Sequence, residues 1–149
     1  MSQEGLSQVK DSSGDRKIVL VADDDADDCL LIKDALIDNG LDWDARFVGD
    51  GIELMEYLEN CDKREKQGIS CFPNLIILDL NMPRKGGREA FREIGSHSRF
   101  NKIPIVILTT SDEPQDIDLC GSLGARRFIT KPIMYTDWLE KVADLKEFV

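Results

Sequence analysis

Hydrophobic residues occur along the chain in short, continuous runs separated by longer mixed segments. Four runs, IVLVA, LIIL, PIVILT and RFIT, occupy residues 18–22, 75–78, 104–109 and 127–130, and a weaker run, ARFVG, occupies residues 45–49. Short apolar runs without polar alternation are typical of strands in a parallel sheet that is covered on both faces. We therefore expect five strands, with the weaker run at an edge of the sheet.

The segments between these runs have the three-to-four-residue spacing of helices. The first stripe stops at Asn39-Gly40, a sequence typical of a helix C-terminus. The last helix is expected to begin at about Thr136, with threonine as N-cap, and to run to Val149. The apolar positions of the five stripes are Cys29, Ile32, Leu36; Ile52, Met55, Leu58; Phe91, Ile94; Ile117, Cys120, Leu123; and Trp138, Val142, Leu145, Val149.

Strands alternating with helices in this way predict right-handed crossovers and an α/β fold. We expect a flavodoxin-like, doubly wound, five-stranded parallel sheet with strand order 2-1-3-4-5, in a three-layer α/β/α sandwich. In such folds, ligands bind outside the carboxyl ends of the strands.

The overall composition is that of an ordinary soluble globular domain, with 149 residues, 42% hydrophobic and 32% charged. Residues 1–15 are polar and rich in Ser and Gly, which predicts a disordered arm before a single domain over residues 16–149. No apolar run approaches the ~20 residues of a membrane span, and the chain starts without a signal-peptide core, so we expect a cytoplasmic protein that does not contact a membrane. A net charge of −10 argues against nucleic-acid binding.

Neither the cysteines nor the histidine suggest a metal or catalytic site. The four cysteines lack the spacing of a metal knuckle, and we expect no disulfides. The single histidine, His97, has no second histidine or catalytic serine pattern to work with and is expected at the surface.

Polar residues follow the strands at the edge where a ligand is expected. Asp23-Asp24-Asp25 follow the first strand, Asp79 the third and Lys131 the fifth, and Thr109 ends the fourth. In the order 2-1-3-4-5, Asp79 lies between the acidic run and Thr109, with Lys131 one strand further along. An aspartate after a buried strand can also be a turn residue or a helix N-cap.

Together these residues indicate a phosphoryl-transfer site. Carboxylates that lie close together repel one another unless they share a cation, and Mg²⁺ is the usual hard, oxygen-seeking ion. A lysine and a threonine hydroxyl beside the same carboxylate offer a charge and a donor to an incoming oxyanion. Asp79 is then the nucleophile.

Four segments, VLVADDD, LIILDLNMPRKGG, PIVILTTS and GARRFITKP, occur in this order. Over residues 17–149 the chain resembles the receiver domain of two-component response regulators. The loop CDKREKQGISCFPN, the run TTSDEPQD and the aromatic-containing last helix are similar to stand-alone regulators associated with cyanobacterial-type phytochrome kinases. The resemblance implies a single-domain response regulator of a phosphorelay that is no enzyme beyond Mg²⁺-dependent self-phosphorylation and slow self-dephosphorylation.

The resemblance also implies roles for the acidic residues. Asp79 would be phosphorylated by a histidine kinase, here of the phytochrome type, or by a phosphotransfer protein. Asp24 would bind Mg²⁺ directly, Asp23 mostly through water, and Asn81 through its backbone carbonyl. The related regulators have Glu-Asp where this chain has Asp23-Asp24-Asp25, so the division of metal roles among the three, and that of Asp25 in particular, stays open.

Further implied roles concern switching and assembly. Lys131 would pair with Asp79 and the phosphoryl group, Thr109 would bond a phosphoryl oxygen, and Phe128 matches the aromatic switch position. The Lys131-Pro132 peptide is cis in such folds. With no second domain after the receiver, we expect output through protein contacts, including a homodimer through the fourth helix, fifth strand and fifth helix.

Three alternatives fit the sequence less well than this interpretation. A calcium loop over DDDADD has Asp28 and Asp34 where glycine and a bidentate glutamate are needed. A haloacid-dehalogenase-type phosphatase needs a second acid two residues after the nucleophile, where this chain has Asn81. A degenerate receiver that only binds partners is disfavoured because the acidic residues, Thr109 and Lys131 are all present.

Overall fold

Five parallel strands form the central sheet of the protein, whose computed structural model describes residues 16–149. The arm predicted over residues 1–15 lies outside the described residues. The sheet order is β2-β1-β3-β4-β5, as predicted. In chain order, the strands are β1 (Ile18–Ala22), β2 (Asp44–Val48), β3 (Leu75–Leu78), β4 (Ile105–Thr109) and β5 (Arg127–Thr130).

Burial of the strands follows the hydrophobic runs. All residues of β3 and β4 are buried, because both strands lie inside the sheet and are covered on both faces. β2 lies at one edge, is only partly covered, and leaves Phe47 39% exposed. The weaker run is thus an edge strand, as predicted.

Helices cover both faces of the sheet, which confirms the three-layer α/β/α architecture. The α1 and α5 side chains Ile32 and Trp138 belong to the hydrophobic cluster on one face. Leu58 of α2 and Phe91 of α3 belong to the cluster on the other. The helices are α1 (Ala26–Asp38), α2 (Gly51–Glu65), α3 (Gly87–Gly95), α4 (Pro114–Ser122) and α5 (Tyr135–Asp144), and a 3₁₀ turn spans Leu145–Phe148.

The last helix differs from the prediction at both ends. It begins at Tyr135, because the carbonyl of Met134 already accepts the first helical hydrogen bond, from Trp138 N at 3.2 Å. Met134 is therefore the N-cap, and Thr136 lies inside the helix. The α-helix ends at Asp144 and tightens into the 3₁₀ turn, a common way for a helix to finish, while Leu145 stays buried.

The Lys131-Pro132 peptide bond is trans, so the expectation of a cis bond was wrong. The trans form is favoured for X-Pro by roughly 0.5–1 kcal/mol when nothing selects the other isomer. Here the Lys131 amide donates to the Thr109 carbonyl at 2.7 Å, and the lysine ammonium still reaches Asp79.

The cysteines and His97, considered above as candidate site residues, have packing contacts in the structure. All four cysteines are free, and burial raises the pKa of Cys61 to about 12. His97 is half-buried rather than fully at the surface, and its ring stacks on Phe100 with the centroids 3.8 Å apart. Within residues 16–149, none of the helices has the length and hydrophobicity that crossing a membrane requires.

Candidate functional site

Asp79 lies at the carboxyl edge of the sheet, directly after β3. Its amide donates to the Ala22 carbonyl at 2.9 Å, which extends the β1–β3 pairing by one residue and fixes the backbone of the aspartate. The side chain is almost fully buried, and Asn81 N donates to Asp79 Oδ1 at 3.2 Å. The carboxylate is therefore held by the strand and by the turn that follows it.

Asp23 and Asp24 bring two more carboxylates to the same place. One oxygen each from Asp23, Asp24 and Asp79 lie within 4.8 Å of one another. Burial raises the pKa of Asp23, against hydrogen bonds from Lys131 and the Asp25 amide that lower it. Three hard oxygen donors, one of them exposed, suit a divalent cation that keeps part of its water shell.

Lys131 joins this cluster from the end of β5. Its ammonium nitrogen lies 2.9 Å from Asp23 Oδ2 and 3.2 Å from Asp79 Oδ2. Burial by itself lowers the pKa of Lys131, but hydrogen bonds to Asp23 and Asp28 and the charge of Asp79 raise it above its ordinary value. The lysine is therefore charged, and the predicted contact with Asp79 is present.

Asp28 is a member of the site that the sequence interpretation missed. Its Oδ2 lies 2.7 Å from Lys131 Nζ, the shortest of the three ion pairs that the lysine makes. Asp28 is the third residue of α1, and side chains at that position can reach back over the N-cap. The run DDDADD could have indicated this role: if Asp25 is the N-cap of α1, Asp28 lies in the first turn of the helix, beside the site.

Asp25 caps α1, which clarifies the role that the sequence left open. Its side chain accepts hydrogen bonds from Asp27 N at 2.9 Å and Asp28 N at 3.1 Å. The carboxylate is thus engaged at the helix terminus, outside the three-carboxylate cluster. Because the residues that follow are already helical, the chain does not wrap around a cation as a calcium loop requires.

Thr109 ends β4 and Phe128 lies in β5, the two strands that follow β3 in the sheet. The Thr109 side chain is fully buried, and its hydroxyl oxygen accepts a hydrogen bond from Ser111 N at 3.4 Å. Phe128 is half-buried and packs against the hydrophobic core on the face of the sheet that α2 and α3 cover. The structure thus brings together the predicted residues Asp23, Asp24, Asp79 and Lys131, whereas the Thr109 hydroxyl is engaged elsewhere.

Comparison with known proteins identifies the family. Residues 19–143 match the response regulator receiver domain. The chain belongs to this family. The receiver domain resemblance inferred from the four ordered segments is therefore confirmed, and the phosphatase alternative is set aside.

The receiver domain is also similar to regulators of phytochrome signalling. Response regulator Rcp1 of Synechocystis sp. is 31% identical over 140 residues, which cover 94% of this chain and 93% of Rcp1. Two solved structures, the phosphorylated cyanobacterial phytochrome response regulator RcpA and the Mn²⁺-bound form of Rcp1, are each 32% identical. Each has a TM-score of 0.77 and covers 89% of this chain and 93% of its own.

The loop that follows Asp79 packs closely against the start of α3. A Cβ atom on Gly87 would lie 2.0 Å from the Asp79 carbonyl oxygen, so only glycine allows α3 to begin here. Arg84 has a left-handed backbone with φ of 60°. Its guanidinium holds Asp50, the N-cap of α2, at 2.7 Å from Nε to Oδ2.

A second polar network holds the β4–α4 loop of the receiver domain. Arg88 of α3 donates to both oxygens of Asp116 on α4, at 2.8 and 2.7 Å. The Ser111 hydroxyl donates to Asp116 Oδ2 at 2.6 Å. Sequence spacing gave no sign of this Arg88–Asp116–Ser111 network, which joins two helices to the loop that follows Thr109.

Proposed function

We propose that Asp79 accepts a phosphoryl group from a histidine kinase in a Mg²⁺-dependent reaction, and that the phosphorylated receiver signals through protein contacts. The observation that carries this proposal is the buried Asp79 carboxylate, held at the end of β3 beside Asp23 and Asp24 and in contact with the Lys131 ammonium. A nucleophile, a place for a cation and a fixed positive charge are the components that phosphoryl transfer needs.

In the proposed reaction, an Asp79 carboxylate oxygen forms a bond to phosphorus. The phosphorus–nitrogen bond of the donor phosphohistidine breaks, and its electron pair stays on the imidazole nitrogen. Lys131, already 3.2 Å from Asp79, is close enough to bond an oxygen of the transferred group. Thr109 would bond a second oxygen after its hydroxyl leaves Ser111 N.

Asp23, Asp24 and Asp79 would hold the Mg²⁺ ion, with the backbone carbonyl of Asn81 as a further ligand. Bound Mg²⁺ neutralises charge that develops on the phosphoryl oxygens. The oxygen-only donor set and the Mn²⁺-bound form of the related Rcp1 support a divalent cation here. We propose no substrate turnover beyond the protein's own phosphorylation and slow hydrolysis of the phosphoaspartate.

A phytochrome-type kinase in the cytoplasm is the proposed phosphoryl donor, and nucleic acid is not a proposed ligand. The relatives Rcp1 and RcpA support the choice of kinase. Exposed apolar side chains beside the cluster support docking by a protein donor, since Ile133 is 97% exposed and Met134 61% exposed directly after Lys131-Pro132. Leu30, two residues beyond Asp28, is 56% exposed.

The test is the intact mass of the full chain after incubation with acetyl phosphate. We expect the mass of one phosphoryl group to be added in the presence of Mg²⁺, and no addition with a chelator or in Asp79→Asn. Asp112→Asn, an exposed aspartate in the β4–α4 loop, is the matched control and should be modified like the wild type. An unmodified wild type would favour the degenerate receiver, and a modified Asp79→Asn would place the acceptor elsewhere.

A further inference from the structure

Lys131 forms ion pairs with three carboxylates, and the three do not have the same proposed role. Asp23 and Asp79 belong to the cluster that suits a divalent cation, and Asp28 does not. All three contacts are made by a lysine whose side chain is only 7% exposed. An ammonium group has three hydrogens to donate, so one lysine can serve all three acids.

A cation at the cluster and the lysine ammonium would compete for the same acids. Lys131 contacts Asp23 and Asp79, two of the three proposed metal ligands. The cation and the ammonium are both positive, so they repel one another when they share the same carboxylates. A buried ammonium that loses its carboxylate partner is strongly unfavourable. Binding of a divalent cation is therefore easier if the ammonium has a carboxylate of its own outside the cluster.

Asp28 is placed to be that carboxylate. It makes the shortest of the three contacts, and its side chain is 19% exposed, so it is itself well covered. Its backbone is fixed because Asp28 N donates to the capping side chain of Asp25. The contact therefore joins the start of α1 to the end of β5, across 103 residues of sequence.

We propose that Asp28 is a positioning residue for Lys131. It holds the ammonium while Asp23, Asp24 and Asp79 bind a divalent cation, and so raises the affinity of the cluster for that cation. From Asp28 the ammonium remains within reach of Asp79, where the phosphoryl group would arrive. The inference rests on the proposed function in one respect only, the use of the cluster for a divalent cation.

Asp27 provides a matched control for this role. It is the neighbouring aspartate in the first turn of α1, is exposed, and carries the same charge. Its side chain makes no ion pair with Lys131, whose carboxylate partners in residues 16–149 are Asp23, Asp28 and Asp79. Comparing Asp28→Asn with Asp27→Asn therefore separates the contact from the loss of one negative charge near the site.

The experiment is isothermal titration calorimetry of Mg²⁺ into the full chain without a phosphoryl donor. We expect Asp27→Asn to weaken binding slightly and Asp28→Asn to weaken it about tenfold more, as is typical when a residue that orients the ligands of a metal is removed. Circular dichroism and thermal unfolding check that each variant is folded. If Asp28→Asn does not fold, Asp28→Ser against Asp27→Ser repeats the comparison.

The same pair of variants in a Lys131→Gln background tests whether the effect passes through the lysine. We expect the difference between the two variants to vanish there. Equal losses in the native background, or a difference that persists without Lys131, would overturn the positioning role. Absence of phosphorylation in the mass experiment would remove the proposed function but would leave this comparison of Mg²⁺ affinities intact, so the two failures are distinguishable.

Discussion

At the scale of single residues, the proposed role of Thr109 requires its hydroxyl to change partners when Asp79 is phosphorylated. It now accepts a hydrogen bond from Ser111 N, and it lies on a strand whose neighbour carries Phe128. A phosphoryl oxygen on Asp79 would stabilise the position of the hydroxyl that faces it and not the present one. A ligand shifts a two-state equilibrium only when it favours one state in this way.

We predict that Thr109→Val, which removes the hydroxyl at nearly constant volume, leaves phosphorylation of Asp79 largely intact and uncouples Phe128 from it. The measurement is NMR of the Phe128 ring resonances with and without acetyl phosphate and Mg²⁺. Thr109→Ser keeps the hydroxyl and should shift these resonances as the wild type does. Equal shifts in the valine variant would mean that Phe128 is only a core residue.

Gly87 is the residue at which backbone packing is tightest. We predict that Gly87→Ala lowers the free energy of unfolding by about 1–3 kcal/mol, because the added Cβ meets backbone rather than a side chain that can move away. Urea unfolding measures it. Gly86→Ala is the control, because its Cβ would meet the Leu80 carbonyl at an ordinary 3.5 Å and the cost should stay below about 1 kcal/mol. Equal losses in the two variants would contradict the packing argument.

At the scale of elements, the Arg88–Asp116–Ser111 network links α3, α4 and the β4–α4 loop. Hydrogen bonds from Arg88, and then from Ser111, lower the pKa of Asp116 from 3.8 to about 2. A carboxyl group whose pKa is lower in the folded state contributes stability above its unfolded pKa and loses that contribution as the pH falls through its folded pKa. The network therefore stabilises the fold at neutral pH and weakens between about pH 4 and pH 2.

We predict that Asp116→Asn lowers the free energy of unfolding at pH 7 by about 1–3 kcal/mol, since hydrogen bonds to a charged group are lost. The difference from the wild type should shrink as the pH falls below about 4, because the carboxyl is then protonated in the unfolded state while the folded state keeps it charged down to about pH 2. Urea unfolding from pH 7 to pH 3 measures this. Asp118→Asn, an exposed aspartate of α4, should be close to neutral throughout. A difference that does not depend on pH would rule out the ion pair as its source.

Elements were predictable where a single local signal determined them. The runs IVLVA, LIIL and RFIT coincide with β1, β3 and β5. Burial on both faces leaves no polar position inside β1 or β3, whereas the edge strand β5 includes Arg127 and leaves Thr130 exposed. The predicted N-cap of α5, Thr136, was two residues too late, because the backbone conformation of Met134, not a capping side chain, begins that helix. Strand order then placed Asp23, Asp79 and Lys131 at one edge of the sheet.

The contacts that were missed join distant parts of the chain through long side chains. Asp28 meets Lys131, and Arg88 meets Asp116, only after the helices have taken their positions against the sheet. Strand order indicates which residues are near one another, but the rotamers of lysine and arginine decide which acid they reach. Such pairings cannot be read from spacing along the sequence.

At the scale of the whole molecule, self-association remains a prediction. The surface of α4, β5 and α5 includes Ile117, which is 43% exposed on α4. Phe148 is a poor probe of this surface, since the Arg127 guanidinium already covers its ring, 5.3 Å from the ring centroid. An exposed apolar residue on a helix face is suited to a closed twofold contact.

We predict that the receiver forms a symmetric dimer through this surface and that Ile117→Glu makes it monomeric, because a charge would then be buried in the contact. Sedimentation velocity, with and without phosphorylation, measures the state of association. Ile37→Glu is the control, because Ile37 is 64% exposed on α1 and lies beside Asp44 and Ala45 of β2, at the opposite edge of the sheet from β5. A wild type that sediments as a monomer in both states would contradict the prediction.

The hydrogen bond from the Lys131 amide to the Thr109 carbonyl has a consequence for exchange with solvent. Among residues 16–149, it is the last backbone hydrogen bond between the ends of β4 and β5, because β5 ends at Thr130 and the chain turns into α5 soon after Pro132. The Lys131 amide proton therefore exchanges with deuterium only when the two strand ends separate. A rotation of the Thr109 side chain alone would leave its exchange rate unchanged, whereas a displacement of the β4 backbone would raise it. This one amide thus distinguishes the two ways in which the strand end could respond to phosphorylation.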